Sequence, residues 1–227
     1  MALMDDEVRP AARLPALLHR QQLVRLSADG WARVLAAPWD DGARLCLALW
    51  AEQGLPLVVT RQPASLAADA LALGLPAPAR FRRRRLALAV APQDVLFLDE
   101  FPPAEAVTRL LPRASVAAWR ALVATLALEG CRARVYGGFG WQALTRLPYV
   151  HADSDLDLLL PVSAPAQADE VVRLIMSVPW DGPRIDGELL FPDGAAIAWR
   201  EWRDYRQGRA PQVLVKRLRG VALERPA

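Results

Sequence analysis

The sequence has 227 residues, of which 53% are hydrophobic and 23% charged, with a formal net charge of +3. Its apolar fraction excludes an intrinsically disordered chain, and its length suits one large domain or two of roughly 100 residues each. The longest apolar runs, such as residues 86–91, are far shorter than the ~20 residues that a membrane-spanning helix needs. No membrane partner is therefore expected.

The basic residues do not indicate a nucleic-acid-binding protein. Of the 28 basic residues, 27 are arginine and only Lys216 is lysine, and the sequence has no aromatic–basic stacking pattern. The N-terminus, MALMDDEVRP, carries acidic residues where an export signal needs basic ones. Cys46 and Cys131 lie far apart without the spacing of metal ligands. We therefore expect a cytoplasmic protein that does not bind nucleic acid.

The first half, residues 1–103, is predicted to form a smaller α/β domain. Asp40 and Asp41 are expected to cap a helix that ends at Gly54. Arg80 and the run Arg82–Arg85 form either a solvated loop or a patch that attracts anions. In chain order, the other predicted elements are a helix over residues 43–53, a strand over 55–60, a helix over 65–73 and a hairpin of strands over 86–90 and 95–98.

Pro102-Pro103 indicates a boundary near residue 104, so residues 104–227 are predicted to form a second domain. Its helices are expected over residues 104–111, 115–129, 141–144 and 166–177. Its strands are expected over residues 156–162 and 213–216, with a hairpin of residues 185–191 and 195–199 around Pro192-Asp193-Gly194. The whole chain therefore reads as an α/β (α+β) protein with a mixed sheet and helices in its C-terminal half.

An Asp-Leu-Asp motif at the start of an apolar strand is the clearest chemical signal. Asp155 and Asp157 are two residues apart, so in a strand they project from one face, roughly 6.6 Å apart along the chain. Parallel carboxylates repel each other unless a cation neutralises them, and paired Mg²⁺ ions suit displacement at phosphorus. The motif predicts Asp155 and Asp157 as catalytic metal ligands and Mg²⁺ as cofactor. Alternatively, Asp153 and Asp155 only cap a turn.

Gly137 and Gly138 precede this motif and are predicted to bind the cofactor phosphates. Glycine lets the backbone approach an anion closely, and the start of the following helix adds a favourable partial charge. Lys216 is a further candidate for a phosphate contact, although a surface lysine explains it nearly as well.

A third catalytic carboxylate is expected on a neighbouring strand. In an extended segment, Arg184, Asp186 and Glu188 share one face. Asp186 or Glu188 would then serve as base or metal ligand; the alternative is an ordinary solvated hairpin face.

The Gly-Gly turn followed by Asp-x-Asp resembles the nucleotidyltransferase superfamily. More narrowly, the chain resembles the malonate decarboxylase holo-acyl-carrier-protein synthases, also called phosphoribosyl-dephospho-CoA transferases. Gly138 departs from the serine that many superfamily members carry there. The residues that carry the narrower resemblance are Val135–Gly138, Trp141-Gln142, Leu144-Thr145, Tyr149, Ser154–Leu159, Asp186–Glu188, Trp199–Trp202, Leu214–Lys216 and Gly54–Val59.

The resemblance implies a nucleotidyltransferase-like catalytic domain and a specific reaction. Such enzymes join the phosphoribosyl arm of 2'-(5''-triphosphoribosyl)-3'-dephospho-CoA to a serine of the acyl-carrier subunit of malonate decarboxylase and release pyrophosphate. It also implies that Asp155 and Asp157 hold the metals. Separately, the arginines at 80 and 82–85 make the N-terminal half a candidate for carrier recognition, because acyl carriers are commonly acidic. Two alternatives remain: a transferase that adenylylates a small molecule or protein, and a non-catalytic module that binds a nucleotide or the carrier.

Overall fold

The computed structural model describes residues 18–226. The acidic N-terminal segment that argued against an export signal lies outside the described residues. No helix within the described range is long and apolar enough to cross a membrane.

The first part of the described chain forms an antiparallel sheet of five strands with two helices, in the strand order β4-β3-β2-β1-β5. The strands are β1 (Leu23–Leu26), β2 (Leu57–Val59), β3 (Leu71–Pro76), β4 (Arg85–Val90) and β5 (Val95–Asp99), and the helices are α1 (Ala28–Ala36) and α2 (Asp41–Glu52). Helix α2 confirms the predicted cap, since the Asp40 carboxylate accepts a 3.0 Å hydrogen bond from the Ala43 amide.

The helix predicted over residues 65–73 is wrong, because residues 65–70 form turns and the last three residues belong to strand β3. Leu71, Leu73 and Leu75 are buried and alternate with less buried residues, which is the period of a strand rather than a helix. The sequence also suggested Gly74 as the end of that helix, which is wrong. Gly74 lies inside the sheet, where a Cβ atom would come within 2.9 Å of the Thr60 methyl group.

The predicted hairpin of residues 86–90 and 95–98 is also wrong, although both strands form. Strand β4 pairs with β3, whereas β5 pairs with β1 at the opposite edge of the sheet. The connection forms a 3₁₀ turn at Pro92–Asp94, and the Asp94 carbonyl accepts a 2.9 Å hydrogen bond from the Ser27 amide. This contact directs the chain to β1 instead of back along β4.

The second part forms a sheet of six strands within the described residues, in the order β11-β10-β9-β8-β7-β6. The strands are β6 (Arg134–Val135), β7 (Leu156–Pro161), β8 (Ile185–Leu190), β9 (Ala196–Ala198), β10 (Val213–Lys216) and β11 (Val221–Glu224). The helices are α3 (Val116–Leu128), α4 (Gly137–Thr145), α5 (Pro165–Ser177) and α6 (Trp199–Arg206). Strands β7 and β8 run parallel with α5 between them in the chain, and the other neighbours are antiparallel.

Most elements predicted for this part are confirmed, including α3, α5, β7, β10 and the β8–β9 hairpin. Three details differ. The first predicted helix is a 3₁₀ helix over Ala104–Leu110. Helix α4 begins at Gly137 rather than near Trp141, and the second hairpin strand ends at Ala198 because Trp199 begins α6. Strand β11 and helix α6 of this part were not predicted, and neither were strand β1 and helix α1 of the first part.

The two sheets have separate hydrophobic cores that meet at α4. Trp141 from this helix packs into the core of the first sheet together with Phe101, at a ring-centroid distance of 5.4 Å. The Tyr149 hydroxyl donates a 2.6 Å hydrogen bond to the Pro76 carbonyl. The mixture of helices and two sheets confirms the predicted α+β class, and these contacts fix the segment after α4 against the first sheet.

Candidate active site

Two neighbouring parallel strands bring four predicted site residues together. Asp157 in β7 lies opposite Asp186 in β8, with Asp155 just before β7 and Glu188 two residues further along β8. Leu156 and its alternate neighbours face the hydrophobic core, so the carboxylates occupy the opposite face of the sheet.

Asp157 is the carboxylate whose charge is least compensated. Burial and, after it, the carboxylates of Asp186, Asp155 and Glu188 raise the pKa of Asp157 to about 6. The Arg184 guanidinium opposes this rise, and no described residue donates a hydrogen bond to the Asp157 side chain. A half-buried carboxylate in this position is stabilised by a cation.

Arg184 was not predicted as a site residue, yet it contacts two of the carboxylates. Its Nε and Nη2 atoms donate to the two oxygens of Asp155 at 2.9 and 2.5 Å, and Nη2 also lies 3.3 Å from Asp186 Oδ2. This guanidinium lowers the pKa of Asp155. Its position was available from the sequence, because residues 184, 186 and 188 share one face of an extended segment.

Glu188 forms a buried ion pair with Lys216 instead of facing the open site. The Lys216 ammonium donates a 2.6 Å hydrogen bond to Glu188 Oε1, and the carboxylate side chain is only 7% exposed. Glu188 Oε2 has no hydrogen-bond partner within the described part of the chain. Lys216 therefore neutralises a protein carboxylate here, and its phosphate contact stays a prediction.

Lys216→Met is expected to destabilise the protein by about 3 kcal/mol, because Glu188 would remain buried without its counter-charge. Urea unfolding of the single variant measures this cost. In the double variant Lys216→Met/Glu188→Gln, which removes both charges, most of the lost stability should return. Equal stabilities of the single variant and the wild type would show that the pair contributes nothing.

Gly137 is required by the same carboxylate cluster. It has φ +59°, and a Cβ atom built on it would overlap the carboxylate of Asp157. At Gly138 the nearest atoms to such a Cβ lie 3.8 Å away, in Ser154 and Tyr149, so a side chain fits. Gly137 thus lets the start of α4 approach Asp157, a reason that the sequence did not reveal.

The N-terminus of α4 lies beside the acidic cluster, because its first residue, Gly137, approaches the Asp157 carboxylate. Tyr136, the N-cap residue, supplies no side-chain cap, and its amide donates a 3.0 Å hydrogen bond to the Asp157 carbonyl. Burial, followed by Glu188, Asp157 and Asp186, raises the pKa of the Tyr136 hydroxyl, which therefore stays protonated. The amides at the start of α4 have no side-chain cap and lie next to carboxylates that attract a cation. This combination is suited to binding a phosphate together with a metal ion.

The residues fit Mg²⁺ by their chemistry, although they are not arranged around an ion. No group of three His, Cys, Asp or Glu side chains within residues 18–226 is positioned to hold a metal, and the Asp155 oxygens face Arg184. The fit comes from the donors: Mg²⁺ prefers carboxylate oxygens, and Asp157 is a half-buried carboxylate beside two further ones.

Comparison with protein-family models covers nearly all of the described chain. Residues 19–101 match the phosphoribosyl-dephospho-CoA transferase MdcG N-terminal domain, and residues 102–227 match the MdcG C-terminal domain. The chain belongs to the phosphoribosyl-dephospho-CoA transferase family. It is therefore a transferase, as the sequence resemblance implied.

Relatives with this family name extend over most of the chain. A phosphoribosyl-dephospho-CoA transferase of Xanthomonas euvesicatoria pv. vesicatoria is 42% identical over 87% of this chain and 89% of its own length. Proteins of the same name from Bradyrhizobium diazoefficiens and Pseudomonas aeruginosa are each 34% identical, over 90% and 79% of this chain and 88% and 81% of their own lengths. No solved structure matches the chain significantly.

Proposed function

We propose that the chain transfers the phosphoribosyl-dephospho-CoA group from 2'-(5''-triphosphoribosyl)-3'-dephospho-CoA to a serine of the acyl-carrier subunit of malonate decarboxylase. Membership of the transferase family supports this reaction. The structural observation that supports it is the close approach of the α4 N-terminus to Asp157, a poorly compensated carboxylate that lies opposite Asp186 in the sheet.

The reaction is a displacement at phosphorus. The serine oxygen forms a bond to the phosphorus attached to the ribose, the bond from that phosphorus to the pyrophosphate oxygen breaks, and the serine proton passes to a base. Asp186 is our candidate for this base, because Glu188 is already paired with Lys216. The amides of α4 would hold the phosphate oxygens in line for the attack.

Asp155, Asp157 and Asp186 are the side chains that would hold Mg²⁺. A bound Mg²⁺ neutralises phosphate oxygens and lowers the pKa of an attacking hydroxyl.

Intact mass of the carrier subunit tests the proposal. Purified apo-carrier is incubated with the chain, triphosphoribosyl-dephospho-CoA and Mg²⁺. The expected result is a mass gain of one phosphoribosyl-dephospho-CoA group, and no mass gain when EDTA replaces Mg²⁺. A gain of AMP when ATP is supplied would favour the adenylyltransferase alternative. Tight nucleotide binding in EDTA without any mass gain would favour a binding module.

The carrier subunit is proposed to dock on the arginines of the first sheet. Arg80, Arg82, Arg83 and Arg85 are exposed and make no ion pair with a described residue, whereas Arg84 pairs with Asp40 at 2.5 Å. The Tyr149–Pro76 hydrogen bond places the strand leading to them next to the segment before Asp155. Acyl carriers are commonly acidic, so this positive patch complements such a partner.

Replacing Arg82, Arg83 and Arg85 together with alanine is expected to raise the KM for the carrier about tenfold and leave kcat nearly unchanged, because steering charges act on encounter. The control is alanine at Arg109, Arg113 and Arg120, which are exposed arginines of the second part with the same charge change. Steady-state rates at low and high salt measure both. An equal KM effect in the two triple variants would contradict a specific docking patch.

A further inference from the structure

One exposed guanidinium links the ends of the two parallel strands. Arg184 binds both oxygens of Asp155, at 2.9 and 2.5 Å, and lies 3.3 Å from Asp186. Asp155 and Asp186 flank Asp157, one before it in the chain and one opposite it in the sheet. The guanidinium therefore occupies carboxylate oxygens that a divalent cation would need.

Arg184 is held only by these carboxylates. Its side chain is 60% exposed, and none of its hydrogen bonds within the described residues reaches a backbone carbonyl. Arg200, the other arginine that acts on Asp155, differs: it donates a 2.8 Å hydrogen bond to the Ile185 carbonyl and stacks on Trp199 at 4.2 Å. Exposed ion pairs are weak, so Arg184 is free to leave its partners, whereas Arg200 is anchored.

We propose that Arg184 is an exchangeable counter-ion of the active site. In the metal-free protein its guanidinium neutralises Asp155 and Asp186. A divalent cation that binds these carboxylates displaces it, and the displaced guanidinium then binds the anionic phosphates of the triphosphate or of the departing pyrophosphate. This inference rests on the proposed function. It adds Arg184 as a positioning residue that binds the carboxylates before the metal arrives and the substrate phosphates afterwards.

The proposal predicts opposite effects on two ligands in the variant Arg184→Gln. Removing a competitor that occupies the carboxylates most of the time should tighten Mn²⁺ binding about tenfold. At saturating Mn²⁺, losing a guanidinium–phosphate contact should weaken pyrophosphate binding about tenfold. Mn²⁺ replaces Mg²⁺ in this experiment because electron paramagnetic resonance measures the concentration of free Mn²⁺ directly. Isothermal titration calorimetry measures the affinity for pyrophosphate. A purely structural role would shift both affinities in the same direction.

Two variants serve as controls. Arg206→Gln removes a comparable bidentate pair, with Asp169 at 3.0 and 2.8 Å between α5 and α6, and should change neither affinity. Arg184→Lys keeps the charge but loses the fork geometry, so both affinities should lie between those of the wild type and Arg184→Gln.

Several results would overturn the proposal. Unchanged or weaker Mn²⁺ binding by Arg184→Gln would show that the guanidinium does not compete with the cation, and unchanged pyrophosphate binding would refute its second contact. In both cases loss of Mn²⁺ binding in Asp157→Asn would leave the metal site of the proposed function standing. If the wild type and Arg184→Gln both fail to bind Mn²⁺, with or without pyrophosphate, the metal site and the counter-ion role are both wrong.

Discussion

Asp157→Asn is expected to abolish transfer and at the same time to stabilise the metal-free protein above pH 6. Loss of a ligand in a metal-dependent phosphorus displacement should cost several kcal/mol of transition-state stabilisation, about 1000-fold or more in rate. Asparagine keeps the shape of the side chain but removes the charge that burial and three neighbouring carboxylates oppose.

The pH dependence of stability follows from the raised pKa. The pKa of Asp157 is about 6 in the folded protein against an ordinary value of 3.8, so the folded state binds more protons than the unfolded state between these values. Stability therefore falls as pH rises from about 4 through 6, by about 2–3 kcal/mol at 1.36 kcal/mol per pKa unit. Asp157→Asn lacks this loss and should be the more stable protein at pH 8.

Urea unfolding at pH 4 and pH 8 in EDTA, together with carrier mass spectrometry, measures both effects. Asp69→Asn is the matched control, because Asp69 is exposed and the change in charge is the same. Adding Mg²⁺ should stabilise the wild type and leave Asp157→Asn unchanged. Wild-type transfer by Asp157→Asn, or a lower stability at pH 8, would be incompatible with the assigned role of this carboxylate.

Gly137→Ala is expected to lose transfer by about 100-fold and stability by about 2 kcal/mol. A left-handed backbone at φ +59° disfavours alanine, and its Cβ atom would displace the Asp157 carboxylate. The site would then lose the approach of the α4 N-terminus to the acidic pair.

Gly138→Ala is the matched control, since a Cβ atom there meets only ordinary contacts at 3.8 Å. We expect its stability to change by less than about 0.5 kcal/mol and its transfer rate by only a few-fold. Gly138→Ser, which introduces the residue found in many nucleotidyltransferases, should also fold normally. Thermal unfolding and initial transfer rates compare the three variants. Similar losses for alanine at 137 and at 138 would refute a specific requirement at Gly137.

Local patterns were sufficient to find the acidic residues and many elements. The alternation Asp155-Leu156-Asp157 predicted the strand and its two faces, and the Asp40 cap and Gly54 predicted α2, because these signals act between residues close in the chain. The same reasoning failed for residues 65–73, which form turns and then enter strand β3. Leu71, Leu73 and Leu75 adopt the strand because they are buried alternately against neighbouring strands. Sheet packing outweighs intrinsic helix propensity there.

The sequence by itself determined the acidic motif, the glycine pair before it, the α+β class and the resemblance to the transferase family. The tertiary structure decided which charges meet: Asp157 opposite Asp186, Lys216 beside Glu188, and Arg184 across Asp155 and Asp186. It also decided that β4 and β5 occupy opposite edges of one sheet. Such pairings depend on strand register and chain crossings between residues distant in sequence, and no local pattern of residue types specifies them.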